Sequence, residues 1–174
     1  MNYFDFYNIP VTFNVDTAAL KKIFYAYSKK YHPDFFTLES VEKQAEILEL
    51  STMNTQAYKT LSNFENRMKY ILDMTGTIKA EGQNKLPESF LMEMMDINEA
   101  LMELEFDPNP KARETLQNNV QLIENQLVTD IKPLLSDYKH NITSESDLEK
   151  IKIFFFKKRY LLRISENLSK FAPL

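Results

Sequence analysis

Cysteine is absent from this chain of 174 residues, glycine occurs only twice, and no apolar run approaches the length of a membrane span. The lack of cysteine excludes a disulfide framework, a thiolate metal or cluster site and a cysteine nucleophile. A membrane-spanning helix needs about 20 consecutive apolar residues, and no segment supplies them. The two histidines have no HxxxH or HxxE spacing that would support a metal site with carboxylates. The sequence therefore predicts no resident cofactor, no metal site and no membrane partner.

Neither sign of charge dominates, because 21 basic and 25 acidic residues give a formal net charge of −4. A protein whose main partner is a nucleic acid usually carries excess positive charge, so this balance argues against such a partner.

The chain opens on an aromatic segment from Tyr3 to Tyr7 that ends at Pro10 and does not have the pattern of a signal or transit peptide. We therefore expect a cytoplasmic protein.

Helical periodicity runs through the chain on both sides of the two glycines, and no strand pattern or internal repeat is present. Both glycines lie between Thr75 and Gln83, which marks this stretch as a flexible connection. The sequence predicts an all-α protein with an N-terminal domain at 1–75, a linker at 76–85 and a C-terminal domain at 86–174. At this length each domain has only a small core.

The N-terminal domain should contain a helix from Asp16 to Tyr31 with a cationic outer face. Asp16 is a capping residue, and one apolar stripe recurs at helical spacing, formed by Leu20, Ile23, Phe24, Tyr27 and Tyr31. Lys22 and Lys29 fall in one column away from that stripe, and Lys21 and Lys30 flank them.

A second helix should run from about Ser40 to Leu61. Its apparent stripe is Val41, Ala45, Leu48, Thr52, Thr55 or Gln56, and Leu61. Asn63 can then cap a short helix that Gly76 closes. Helices joined by a short loop usually pack as an antiparallel hairpin.

The tripeptide His32-Pro33-Asp34 lies between these two helices. Pro33 cannot continue the first helix and disfavours the α conformation at His32, so the chain leaves the helix there. The sequence therefore places His32 and Asp34 on a loop at the end of the lysine-bearing helix. A catalytic His-Asp dyad is a poor alternative, because no serine or cysteine nucleophile motif accompanies the pair.

This order of helices around a His-Pro-Asp loop resembles the J domain of DnaJ-type co-chaperones. The opening Asn2-Tyr3-Phe4 and the runs at 53–61 and 67–72 are similar to the HscB subfamily, and the similarity extends over the whole chain. It implies a co-chaperone and not an enzyme. The surface that would then dock on a heat-shock ATPase chaperone of the HscA or DnaK type consists of His32, Pro33, Asp34, Lys22, Lys29 and Lys30. Phe35 departs from the family, where a lysine commonly follows the tripeptide.

The C-terminal half contains three longer helical segments. The first runs from Pro87 to about Glu105, the second from Pro110 to about Lys139 with Pro133 inside it, and the third from caps at Ser144 to about Phe171. Short connections between such helices predict an antiparallel three-helix bundle.

The helix beginning at Pro87 has two apolar faces. One, suited to the core, contains Phe90, Met94, Ile97, Leu101 and Leu104. The opposite face interleaves Leu91, Met92, Met95 and Met102 with Asp96, Glu99 and Glu103. A second apolar face needs a second contact, and flexible methionines edged by acids suit a basic partner. Packing on the N-terminal domain or in a homodimer is the alternative.

The resemblance to HscB implies that this face binds the iron–sulfur scaffold protein of the IscU type. The residues that would contact the scaffold are Leu91, Met92, Met95, Asp96, Glu99 and Glu103. The family also uses an aromatic residue of its last helix, and Tyr160, which follows Arg159, best matches that position. Two alternatives remain open. The chain could be a general J-domain co-chaperone with a different client, or a helical adaptor in which the tripeptide is accidental.

Overall fold

The structure, a computed structural model, describes residues 1–80 and 82–170. Over these residues the chain forms seven α-helices and one short 3₁₀ helix at Pro33–Phe36, with no strand, which confirms the predicted all-α class. The helices are α1 (Tyr3–Tyr7), α2 (Thr17–Lys30), α3 (Val41–Ser62), α4 (Phe64–Met74), α5 (Glu88–Phe106), α6 (Pro110–Asp137) and α7 (Glu145–Ser169). Glu81 of the predicted linker and Phe171, the predicted end of the last helix, lie outside the described residues.

Helix starts follow the capping residues that the sequence indicates. The Asp16 side chain accepts hydrogen bonds from the backbone N–H groups of Ala18 and Ala19 at 2.9 and 3.0 Å. Ser40, Asn63 and Ser144 cap α3, α4 and α7 in the same way. Each cap satisfies backbone donors that have no partner within the helix, so these four boundaries are set locally.

The chain forms two compact units. The first contains Met1–Thr75 together with Tyr138–Ile142, and the second contains Gly76–Asp137 together with the chain from Thr143 onward. Within the first unit, the buried ring of Tyr138 lies 4.7 Å from the Phe13 ring, centroid to centroid. The hydroxyl of Tyr138 lies 3.0 Å from His140 Nδ1, and burial raises the pKa of this tyrosine.

The stripe predicted for α3 was wrong at most of its positions. Val41, Ala45, Leu48 and Thr52 are exposed, whereas the buried residues of α3 are Ile47, Asn54, Ala57 and Leu61. Two sets of residues with nearly the same helical spacing compete in this sequence. The set that faces the core includes a polar residue, Asn54, which a pattern of apolar residues cannot select.

Asn54 joins α3 to the helices that pack against it. Its Nδ2 donates to the carbonyl oxygen of Phe24 at 3.2 Å and to Ser28 Oγ at 3.0 Å, both on α2. The hydroxyl of Tyr7 on α1 lies 2.8 Å from Asn54 Oδ1 and 2.8 Å from its carbonyl oxygen. Burial raises the pKa of Tyr7. The side-chain amide of Asn54 thus has hydrogen-bond partners on two other helices, and these bonds offset the free-energy cost of burying it.

Replacing Asn54 with alanine should therefore lower the free energy of unfolding by about 2 to 3 kcal/mol, because Ser28 and Phe24 lose a buried partner. Chemical denaturation followed by circular dichroism measures this change. The matched control is Thr52→Ala, an exposed site on the same helix, which should change stability by less than about 0.5 kcal/mol. Equal stabilities of the two variants would contradict the role given to Asn54.

Arg67 closes the turn between α3 and α4. Its guanidinium is buried, and it donates from Nε to the Phe13 carbonyl oxygen at 2.9 Å and from Nη1 to the Leu61 carbonyl oxygen. Leu61 lies in the last turn of α3, where carbonyl groups lack a helical partner, so the arginine supplies one. Desolvation lowers the pKa of Arg67.

The second unit is a bundle of α5, α6 and α7. Arg113, near the start of α6, donates from Nε to the Leu168 carbonyl near the end of α7 at 3.4 Å, so these two helices run antiparallel. The face of α5 predicted for the core is confirmed, since its five apolar residues are buried. They pack in one cluster with Leu116, Val120, Leu161, Ile164 and Leu168. Pro133 lies inside α6 as predicted.

In the part of the chain that the structure describes, no helix combines the length and the apolar character that crossing a bilayer requires.

Candidate functional site

The His-Pro-Asp loop forms a short 3₁₀ helix, Pro33–Phe36, and the side chain of His32 caps its N-terminus. His32 has extended backbone angles and is the N-cap of the 3₁₀ helix, and its Nδ1 accepts a hydrogen bond from the Asp34 N–H at 3.3 Å. Pro33 takes the first helical position, where no N–H is needed. Proline geometry and this hydrogen bond together fix the loop without the help of the Asp34 carboxylate.

The Asp34 carboxylate is consequently free to contact another molecule. Its side chain is 82% exposed, and within the described residues its Oδ2 lies 3.7 Å from Nδ1 of the His32 ring. The end of the loop is tied to α3 instead, because Gln44 Nε2 donates to the carbonyl oxygens of Thr37 and Glu39 at 3.3 and 2.9 Å. The loop therefore presents a carboxylate on a fixed backbone.

Phe35 follows the tripeptide and is also exposed. Its ring centroid lies 5.4 Å from that of His32, and its N–H donates to the His32 carbonyl oxygen at 3.1 Å. The two rings are tilted by 45° relative to each other, so the Phe35 side chain lies beside the histidine ring. This position brings an aromatic surface, and no positive charge, next to the Asp34 carboxylate.

The lysines of α2 form the cationic face that the sequence predicts. Lys21, Lys22, Lys29 and Lys30 are all exposed, and among the residues that the structure describes none of them forms an ion pair with a carboxylate. Lys30 Nζ lies 5.0 Å from the centroid of the Tyr31 ring, so this ammonium is held beside the loop. Positive charge that no carboxylate of the described residues neutralises is available to an acidic surface.

The outer face of α5 is exposed as predicted. Met92 and Met95 are 64% and 68% exposed, and Leu91 and Met102 are exposed as well. The helix carries six acidic residues, Glu88, Glu93, Asp96, Glu99, Glu103 and Glu105, and no basic one. No ion pair in residues 1–80 and 82–170 involves any of these six carboxylates.

Successive residues of an α-helix are about 100° apart around its axis, and this angle divides the outer face of α5 into two lanes. We call the first the apolar lane; it consists of Leu91, Met95, Met102 and Phe106. We call the second the acidic lane; it consists of Met92, Asp96, Glu99 and Glu103. The sequence prediction does not include Phe106, because it ends the helix one residue earlier. The spacing of Phe106 from Met95 and Met102 indicates that it belongs to the same lane.

Tyr160 of α7 is brought to the edge of the apolar lane. Its hydroxyl accepts a hydrogen bond from Asn98 Nδ2 at 2.8 Å, and Asn98 lies between the core face and the apolar lane. The ring of Tyr160 packs edge-on against Phe90 with 5.8 Å between centroids and is half-buried. The structure therefore places all seven residues of the predicted partner-binding set in one unit, with Tyr160 held by the core side of α5.

Comparison with known proteins assigns the chain to a family. Residues 86–169 match the family model described as the HSCB C-terminal oligomerisation domain. The co-chaperone protein HscB of Buchnera aphidicola subsp. Acyrthosiphon pisum (strain APS) is 34% identical over 175 residues, which cover 95% of this chain and 99% of that protein. This chain belongs to the HscB family of co-chaperones.

Solved HscB structures share its fold. The crystal structure of human co-chaperone protein HscB superimposes with a TM-score of 0.77 at 27% identity, covering 100% of this chain and 84% of that one. Chaperone HscB from Vibrio cholerae matches with a TM-score of 0.63 over 97% of this chain and 99% of its own at 24% identity, which supports the fold alone. The predicted combination of a J domain with a C-terminal helical domain is confirmed as the fold of this HscB-family chain.

Proposed function

We propose that this HscB-family protein stimulates the ATPase of a heat-shock chaperone of the HscA or DnaK type and delivers to it the iron–sulfur scaffold protein of the IscU type. The observation that carries the proposal is the outer face of α5, where exposed methionines adjoin carboxylates that form no ion pair with any residue the structure describes. A surface of this kind would bind a client protein, whereas the J domain would bind the chaperone. The protein itself does no covalent chemistry in this function.

The J domain contributes the contact with the chaperone. The lysines of α2 steer it toward an acidic patch, since charge complementarity speeds association and fixes orientation. Asp34 then pairs with a cation of the chaperone beside the exposed rings of His32 and Phe35. The pair forms better in one nucleotide state of the chaperone than in the other, so docking biases a conformational equilibrium and thereby speeds hydrolysis.

The α5 face contributes the contact with the scaffold. Six negative charges without a positive one on a single helix select a basic surface and repel an acidic one. The methionines adapt to the shape of that surface and supply apolar area. Holding client and chaperone on one chain raises their effective concentration for each other, which couples ATP hydrolysis to cluster transfer.

The family model's description names oligomerisation, and a second copy of this chain is the competing occupant of the α5 face. A two-fold interface would bring the same six carboxylates of both copies together. Like charges brought together at an interface are unfavourable, which disfavours self-association through this face. A basic client is therefore the better partner for α5.

One experiment tests both halves of the proposal. The ATP hydrolysis rate of the chaperone is measured alone, with this protein, with the scaffold, and with both. We expect this protein to raise the rate, and the scaffold to raise it further only when this protein is present and binds it in a calorimetric titration. Stimulation without scaffold binding would leave a general J-domain co-chaperone with a different client, and no stimulation would leave a helical adaptor.

A further inference from the structure

The apolar lane of α5 extends well beyond the residues that the proposed scaffold site includes. That site uses Leu91 and Met95 at the start of the lane, but Met102 is 59% and Phe106 is 86% exposed at its other end. Leu91 and Phe106 are fifteen residues apart, so the lane is about 22 Å long at 1.5 Å per residue. The part of the lane beyond Met95, about 16 Å at the same rise per residue, has no assigned contact.

A single exposed apolar side chain on a protein surface is ordinary and needs no explanation. Four in one column of one helix are different, because helical spacing aligns them along one side of the helix. The ring of Phe106 alone offers more than about 150 Å² of area to a partner. Its backbone is well defined, since the next residue, Asp107, donates its N–H to the Glu103 carbonyl oxygen at 2.9 Å and ends the helix there.

We propose that the scaffold's contact with α5 runs the full length of this lane and includes Met102 and Phe106 as contact residues; this inference rests on the proposed function. The occupant is the same basic client, because the acidic lane accompanies the apolar lane as far as Glu103 and adjoins Met102. The matching element of the client is an apolar ridge about 20 Å long with basic side chains along one edge. Such a ridge requires either a helix or an extended segment of similar length.

Calorimetric titration of the IscU-type scaffold of the same organism tests this extension with two single variants, Phe106→Ser and Met102→Ser. The matched control is Leu122→Ser, which changes a side chain of α6 that is 66% exposed and lies on another helix. Circular dichroism and thermal unfolding confirm that each variant is folded. We expect Phe106→Ser to weaken binding by on the order of tenfold, while Leu122→Ser changes it less than about twofold.

The outcomes separate this inference from the function on which it rests. If the wild type binds and Phe106→Ser and Met102→Ser bind equally well, the extension is wrong and the proposed function stands. If the wild type does not bind the scaffold, the proposed function fails and the inference fails with it. Sedimentation velocity tests whether a second copy of this chain occupies the lane instead. If Phe106→Ser shifts a monomer–dimer equilibrium and leaves the scaffold affinity unchanged, the occupant is a second copy and the inference is overturned.

Discussion

Replacing Asp34 with asparagine should strongly weaken stimulation of the chaperone ATPase while the protein stays folded. The loop backbone is fixed by Pro33 and by the bond from the Asp34 N–H to His32 Nδ1, and both are kept in the variant. The carboxylate is 82% exposed and contributes little to stability. Docking, by contrast, loses its charge-assisted pair, which costs about 2 kcal/mol or more when the pair is desolvated.

A single-turnover ATPase assay with increasing amounts of the variant measures this loss, which corresponds to roughly a 30-fold weaker apparent affinity. The matched control is Glu39→Gln, which removes a carboxylate from the other end of the same loop; its backbone carbonyl, the acceptor for Gln44, is unchanged. We expect the control to stimulate like the wild type. Full stimulation by Asp34→Asn would show that the tripeptide is not the docking element.

The double variant Met92→Ala, Met95→Ala should lose scaffold binding without losing its fold. Both side chains point away from the core of the second unit, and neither belongs to the cluster around Phe90 and Met94. Their truncation therefore removes little packing inside the protein. At an interface, two central apolar side chains of this size together account for about 3 kcal/mol, which corresponds to about a 100-fold loss of affinity.

Calorimetry with the scaffold protein measures this loss, and the chaperone ATPase without scaffold serves as an internal check. That basal stimulation should be unchanged, because the J domain is untouched. The matched control is Leu122→Ala, Val128→Ala, which truncates two exposed apolar residues of α6. If the α5 variant and the α6 variant bind the scaffold equally well, the Met-rich face is not the client site.

Much of the geometry of the surface proposed for function could be predicted because its signals are local. The two faces of α5 follow from the spacing of residues within one helix, and the structure keeps Met94 buried and Met95 exposed as that spacing requires. Capping by Asp16 and Ser144 involves the next few residues only. The position of the loop follows from the covalent geometry of Pro33.

Other features depended on residues far apart in the sequence. The stripe of α3 was assigned to the wrong residues because Val41 and Leu48 look more apolar than Asn54. The choice is made by Tyr7, Phe24 and Ser28, which supply hydrogen-bond partners from 26 to 47 positions away. Periodicity within one helix contains no information about such partners, so two stripes of similar spacing cannot be ranked from it.

The sequence by itself determined the all-α class, the helix starts, the His-Pro-Asp loop and the two faces of α5, because each depends on neighbours within one or two helical turns. Only the tertiary structure decided which face of α3 is buried and that Asn98 holds Tyr160 beside the apolar lane, across 62 positions of sequence. Burial of a polar group is favourable only where its partners are in place, and those partners meet only when the chain is folded.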